Sequence, residues 1–203
     1  MTTPPTRSRS RGWGLRVLQP LILLGAMWLI RALDAVLPGS WVTAFGIQSW
    51  VVDGLDGIVL SHGLHTGWPH LLANTIPFLV LGIIVALDGI GRFWAVTGIV
   101  GVIAGIGTWV FNAPGTVTVG ASGLVFGYFG YIFARAFVAR SLGHGILYAL
   151  IAVAVVVVHG GSMLAGIFRA AEGISWQAHL FGAIGGALAA FVLRPTRPKE
   201  APE

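Results

Sequence analysis

The sequence predicts an all-α membrane protein with six transmembrane helices, and three observations carry that prediction. Of its 203 residues, 56% are hydrophobic and only 9% charged, against about 45–50% apolar and about 25% charged in soluble domains. The apolar residues gather in six runs, each close to the about 20 residues that a helix needs to cross a bilayer. Lysine and arginine crowd onto alternate connections between those runs. Mean hydropathy is +0.85, which excludes disorder, because disorder requires low hydrophobicity and high net charge. A formal charge of +5 would suggest nucleic acid in a soluble chain. In a membrane chain the placement of basic residues sets orientation instead, and no nucleic-acid partner is expected. Cysteine is absent, which removes disulfides, thiolate nucleophiles and iron–sulfur ligation.

Residues 1–14 read as a disordered basic tail bearing Arg7, Arg9 and Arg11. The first span runs from Leu15 to Ile30. Beyond it Arg31 and Asp34 stand three apart on one helical face, where they are expected to pair. The 32-residue stretch 38–69 carries Trp41, Phe45, Trp50, Val52 and Leu60. A connection that long is usually structured, and its apolar content predicts short helices lying partly in the outer leaflet. The second span covers about His70 to Leu87 and closes at Asp88-Gly89. The third covers about Phe93 to Phe111 and closes at Asn112-Ala113-Pro114-Gly115. The fourth covers about Ala121 to Val138, the fifth about Gly145 to Leu164, and the sixth about Trp176 to Leu193. A core of residues 15–193 and a polar tail of 194–203 complete the expected organisation.

One set of alternate connections holds Arg7, Arg9, Arg11, Arg16, Arg92, Arg135, Arg140, Arg194, Arg197 and Lys199. The other set holds only Arg31 and Arg169. Positive residues stay cytoplasmic, so both termini are expected in the cytoplasm, with 38–69, 112–120 and 165–175 outside. Arginine outnumbers lysine eleven to one, a bias that fits a GC-rich bacterial genome and hence a bacterial cytoplasmic membrane.

Polar side chains inside spans are costly and therefore candidate functional groups. Ser122 lies in Gly120-Ala121-Ser122-Gly123 at the outer end of the fourth span, and His179 lies one turn into the sixth. His70 and Asn74 stand four apart on one face of the second. The topology puts all four at similar depth. A serine hydroxyl needs a neighbouring base to become a nucleophile, and histidine is the usual base near neutral pH. Attack on an amide builds an oxyanion that needs preorganised donors, which a histidine N–H, an asparagine amide and a backbone N–H can supply. Taken singly, each residue has a plainer use: serine bonding its own helix, or histidine holding two helices together. Gly123, Gly127 and Gly130 line one face beside Ser122, and Gly182 and Gly186 lie below His179. Such small-residue stripes let helices approach closely, and a serine and a histidine on two helices can bond only if those helices nearly touch.

At these residues the sequence resembles the rhomboid family of intramembrane serine proteases, in a six-span bundle covering about residues 15–193. The resemblance rests on Gly120-Ala121-Ser122-Gly123, on Ala178-His179 followed by Gly182 and Gly186, and on His65, His70 and Asn74 leading into the second span. It implies that Ser122 is the nucleophile and His179 the general base. His70, Asn74 and the Ser122 N–H would form the oxyanion hole, with His65 bracing the first loop. It also implies substrates that are single-span membrane proteins in the lipid bilayer, cut near the outer face. The fifth span and residues 160–175 would act as gate and cap, with no cofactor and no metal. Two positions depart from the family pattern. Asp56-Gly57 stands where many members carry Trp-Arg, and Phe126 stands where many place a tyrosine that stacks on the catalytic histidine.

Other protease chemistries fit less well. A zinc enzyme needs a pattern such as His-Glu-x-x-His, and no glutamate lies near a histidine pair; His62, His65 and His70 lack a carboxylate or cysteine partner. Asp53, Asp56 and Asp88 each precede glycine, as turn residues do, rather than sitting as a catalytic pair inside spans. Leu124 breaks the Gly-x-Ser-x-Gly elbow of soluble hydrolases. Broken midplane helices and repeat symmetry, the marks of a transporter, are not evident. The alternative left open is a catalytically silent rhomboid-like protein that binds or retains membrane helices. Oligomeric state leaves no trace in the sequence.

Overall fold

The computed structural model describes residues 9–139, 141–168 and 175–194. Expectations that fall on residues 1–8, 140, 169–174 and 195–203, among them the placement of Arg169 and the 169–174 part of the expected cap, lie outside the described residues.

The described chain is mostly helical. Helix α1 spans Arg9–Val36, and a short α2 (Trp41–Phe45) follows. Strand β1 (Ile47–Gln48) and a four-residue α3 (Gly57–Leu60) complete the long first loop. Helices α4 (Trp68–Leu87) and α5 (Ile90–Phe111) come next, then strand β2 (Val117–Thr118). Helices α6 (Ser122–Val138), α7 (Leu142–Phe168) and α8 (Trp176–Val192) end the bundle. Among the described residues, three helices are long and apolar enough to cross a membrane, within α1, α4 and α5. Three shorter apolar stretches lie in α6, α7 and α8.

The helix ends follow local chemistry. α4 stops at Asp88-Gly89, where Gly89 takes φ +129°, a backbone conformation that glycine alone adopts cheaply. α5 stops before a turn closed by Gly115 at φ +75°. α1 differs from expectation at both ends: it starts at Arg9 within the expected tail and continues past Ile30 to Val36. Its far end is held because Arg31 pairs with Asp34, Asp34 accepts the Trp41 N–H at 2.8 Å, and the Arg31 guanidinium lies over the Trp68 ring. The expected Arg31–Asp34 pair therefore forms, and it clamps three elements together.

α6 lies at the centre, packed on α8, α7, α4 and α5, while α1 packs on α4. The core gathers Leu71, Phe78, Leu81, Phe93, Val100, Tyr128 and Tyr131. Residues on the opposite faces, such as Ile76 of α4 and Val157 of α7, are exposed. Apolar surface of this extent marks contact with something other than water, and a bilayer is what helices of this length fit.

At the end bearing Asp88, a buried polar cluster ties α4 to α6 and α7. Asp88 accepts the hydroxyls of Tyr131 (2.6 Å) and Tyr148 (2.5 Å) and pairs with Arg135 at 3.3 Å. The sequence marks Asp88 only as a turn residue, and its side chain does more than turn the chain.

At the opposite end, β1 pairs antiparallel with β2, Ile47 against Thr118 and Gln48 against Val117. This two-stranded ladder was not expected from the sequence. It fastens the first loop to the segment that leads into Ser122. The loop also docks on α5: Trp109 donates its indole N–H to the Val51 carbonyl, and His62 Nε2 lies 2.9 Å from the Gly101 carbonyl. Gly57, at the departed Trp-Arg position, faces the backbone of Gly46, where a Cβ would lie 2.5 Å from the Gly46 carbonyl carbon. Any side chain there would push the loop off β1, which accounts for the glycine.

Candidate active site

The site forms where α6 and α8 touch. Gly182 of α8 packs on the carbonyl of Gly123, Gly186 packs on the carbonyl of Gly127, and Gly130 of α6 packs on the carbonyl of Ala183. Each contact is so tight that a Cβ would overlap an oxygen. Gly123 itself faces Ala178, with a Cβ position 3.4 Å from the Ala178 carbonyl oxygen. The two helices thus meet backbone to backbone along several turns, the arrangement that small residues permit.

That approach brings Ser122 and His179 together. His179 Nε2 lies 2.9 Å from Ser122 Oγ, a full hydrogen bond by length. Phe126, one turn below Ser122, stacks on the His179 ring with centroids 4.1 Å apart and planes 6° from parallel. The missing tyrosine hydroxyl therefore leaves the ring contact intact. His179 and Phe126 are buried and Ser122 is half-buried. α8 starts just before the histidine because Ser175 caps it, accepting the Ala178 N–H at 3.2 Å. Gln177, also buried, donates to the Phe111 carbonyl at 3.2 Å and ties the start of α8 to the end of α5.

Ser122 is the first residue of α6, preceded by Ala121 with no side-chain cap. The first-turn N–H groups of a helix have no partner within it, so the backbone around Ser122 offers free donors. Gly120 sets the entry: its φ is +126°, and a Cβ would lie 2.8 Å from both Cε1 and Nε2 of His70. Backbone conformation and space both demand glycine there. The Gly120 N–H is held by the Ser61 carbonyl at 3.0 Å.

His70 thus packs with its Nε2 edge against the backbone two residues before Ser122. Asn74, one turn along α4, donates its amide to the His70 carbonyl at 3.0 Å, so the hydrogen bond it makes lies within its own helix. His65 is buried in the loop before α4, edge-on to His70 at 5.0 Å, and its Nε2 accepts the Ala121 N–H at 3.5 Å. That bond requires a neutral imidazole. Burial lowers the His65 pKa to about 4, with the nearby His70 adding to the shift. Burial likewise lowers the pKa of His62. The Nε2 of His62 is taken up by the Gly101 carbonyl. Among the described residues no group of three His, Cys, Asp or Glu side chains is placed to hold a metal.

A second Ser–His contact exists. Ser141 Oγ lies 2.7 Å from His144 Nδ1 and caps the start of α7, accepting the His144 N–H at 3.4 Å. It is exposed, so nothing there shields a reacting group from water. Sequence reasoning did not single out Thr66, whose Oγ1 lies 3.2 Å from His70 Nδ1. No periodicity pointed to it, because Thr66 lies in the bend before the Gly67 cap and outside α4.

Chemically, the arrangement offers a hydroxyl bonded to a buried imidazole at the start of a helix, where first-turn N–H groups have no partner within that helix. The comparisons with known proteins agree on its kinship. The family model for the Rhomboid domain matches residues 54–196. The chain is 36% identical over 199 residues to "Uncharacterized protein Rv1337" of Mycobacterium tuberculosis, covering 94% of this chain and 81% of that protein. It is 34% identical to "Uncharacterized protein ML1171" of Mycobacterium leprae, over 94% of this chain and 76% of that one. It is 33% identical over 179 residues to "Putative rhomboid protease YdcA" of Bacillus subtilis, covering 85% of each chain. A domain match over most of the chain, joined to relatives this similar along nearly its whole length, establishes that the chain belongs to the rhomboid family.

Proposed function

We propose that this chain is an intramembrane serine endopeptidase that cleaves single-span membrane proteins near the outer face of the membrane. Ser122 is its nucleophile and His179 its general base. What supports this most directly is the 2.9 Å contact between Ser122 Oγ and His179 Nε2 inside a buried, glycine-packed seam. In this reading α1 and α4 to α8 cross the bilayer as six spans within residues 15–193 with both termini in the cytoplasm, an orientation that the arginine distribution supports. The opening of the site then faces the outer leaflet.

In the reaction Ser122 Oγ attacks the scissile carbonyl carbon, and the hydroxyl proton passes to His179 Nε2. The resulting oxyanion accepts hydrogen bonds from the Ser122 N–H, from His70 Nε2–H and from the second N–H of the Asn74 amide. As the tetrahedral species collapses, the carbon–nitrogen bond breaks and His179 delivers its proton to the leaving amine. Water, deprotonated by the same histidine, then releases the acyl group from Ser122. Phe126 holds the imidazole plane through both steps, and His65 holds Ala121 beside the nucleophile. No cofactor enters the scheme.

The test is fluorophosphonate labelling of the full chain in detergent micelles, beside cleavage of one single-span model substrate in liposomes. Labelling and cleavage that both vanish in Ser122→Ala and in His179→Ala support the dyad. A folded wild-type protein that neither labels nor cleaves, yet binds membrane helices, overturns it in favour of a silent helix-binding member.

A further inference from the structure

Neutral imidazole carries one N–H, and which nitrogen bears it is set by the partner of the other. His70 has two distinct edges. Its Nε2 and Cε1 face the Gly120 backbone: a Cβ there would lie 2.8 Å from both, against 4.0 Å from Nδ1. Nδ1 is therefore turned away from the Gly120 backbone, and the atom found beside it is Thr66 Oγ1 at 3.2 Å. The charged and titratable groups around the ring do not supply another partner. Asp34 is taken by Arg31 and by the Trp41 N–H, and Arg31 lies over Trp68. The Nε2 of His65 is committed to the Ala121 N–H.

The Thr66 hydroxyl is free for this use because of how α4 begins. Gly67 is the cap residue, without a side-chain cap bond, and Pro69 in the first turn has no N–H to offer. A threonine just before a helix would often turn its oxygen toward first-turn N–H groups. Here its recorded contact is with the ring one turn on. A hydroxyl can donate to Nδ1 or accept from it. If it donates, the ring proton sits on Nε2, on the Ser122 side. If it accepts, Nε2 presents a lone pair to that side, which would repel an oxyanion.

We propose that Thr66 is a positioning residue: its hydroxyl donates to His70 Nδ1 and so fixes His70 as the Nε2–H tautomer, aimed at the oxyanion beside Ser122. This rests on the serine-protease reading given above. Thr66 touches neither substrate nor nucleophile and acts only through His70. Loss of its hydroxyl should lower turnover without weakening substrate binding, because the ring remains in place with its proton divided between two nitrogens.

The experiment measures kcat and KM for one single-span model substrate in liposomes, using wild type, Thr66→Val, Thr66→Ser, His70→Ala and the Thr66→Val/His70→Ala double variant. Ser122→Ala is run in the same assay. Valine keeps the shape of threonine and removes the hydroxyl; serine keeps the hydroxyl. Thr66→Val is expected to lower kcat about 10-fold, the low end of what losing the partner that fixes the tautomer of a metal-bound histidine costs, with KM within about twofold. Thr66→Ser should restore most of the loss. In the His70→Ala background the valine should have no further effect, since both changes act through one ring. Unchanged kcat in Thr66→Val, a serine variant no better than valine, or an undiminished valine effect without His70 would each overturn the proposal. If Ser122→Ala is dead while Thr66→Val is fully active, only this inference fails. If Ser122→Ala still turns over, the serine reading itself fails and this one with it.

Discussion

Gly186 lies so close to the carbonyl oxygen of Gly127 that a methyl group on its Cα would overlap that oxygen. The obstacle is backbone, which cannot swing aside as a side chain can. Alanine favours a helix over glycine by about 1 kcal/mol, whereas overpacking costs about 1–3 kcal/mol. Against rigid backbone the upper figure should hold. Gly186→Ala is therefore expected to lower thermal stability in detergent and to reduce Ser122 labelling, because α8 is pushed off α6. Gly98→Ala in α5, where a Cβ meets nothing within 4 Å, should be neutral or stabilising. Equal effects at both positions would refute the seam as the constraint.

Ser122 and His179 share one hydrogen bond, so they should fail as a unit. Either alanine variant is expected to cut turnover by at least about 10,000-fold, and the double variant should be no worse than the more damaging single one. Thermal unfolding should stay near that of wild type, which separates lost chemistry from lost fold.

Oxyanion donors act in the transition state, so their loss should appear in kcat rather than KM. His70→Ala and Asn74→Ala are each expected to lower kcat about 100- to 1,000-fold. Normal turnover with weakened binding in both would assign these residues to substrate binding instead.

Acid should loosen the junction between the first loop and Ser122. Folded His65 has its pKa lowered from 6.5 to about 4 by burial and by His70. As pH falls below 6.5 the unfolded chain gains protons that the folded chain does not take until about pH 4. The unfolded state thus binds more protons in that window, and stability rises with pH from about 4 to 6.5 and is fully present above it. His62, shifted in the same direction by burial, adds to the slope. Thermal unfolding followed against pH should show this rise, and His65→Gln should flatten it in part. An unaltered slope in that variant would remove His65 from the account.

Asp88 holds α6 and α7 to the end of α4. Asp88→Ala leaves Arg135 buried without its counter-ion, a change that typically costs about 3–5 kcal/mol. A large drop in thermal stability is expected, and adding Arg135→Met should recover part of it. If the second substitution makes matters worse, the pair is not what Asp88 is there to complete.

Length, polarity and punctuation along the chain are local properties, and they reached far. The apolar runs predicted α4, α5, α6 and α8 to within a few residues because Asp88-Gly89 and Pro114-Gly115 stop helices wherever they occur. The spacing of Gly123, Gly127, Gly182 and Gly186 carried the close approach of two helices, since small residues let backbones meet and at Gly182 and Gly186 a Cβ would overlap the facing carbonyl. Within the expected tail, α1 begins at Arg9, and residues 12–15 are exposed: arginine, serine and glycine beside an apolar run suit a solvated helix turn as well as a coil, so local pattern did not fix where the helix starts.

What sequence pattern could not reveal is which distant groups would meet. The ladder of Ile47–Gln48 with Val117–Thr118 joins segments about seventy residues apart, each too short to show a period of two. Asp88 looked like a turn residue because its partners, Tyr131, Arg135 and Tyr148, lie on later helices whose rotation the local pattern does not specify. Gly57 looked like a departure from a motif until Gly46 was found against it. Thr66 became part of the site only once Gly120 was seen to turn the Nε2 edge of His70 inward. Periodicity and composition determine what each segment is and which face it buries. The pairing of faces, and with it the direction in which each buried proton points, is decided only when the helices close on one another.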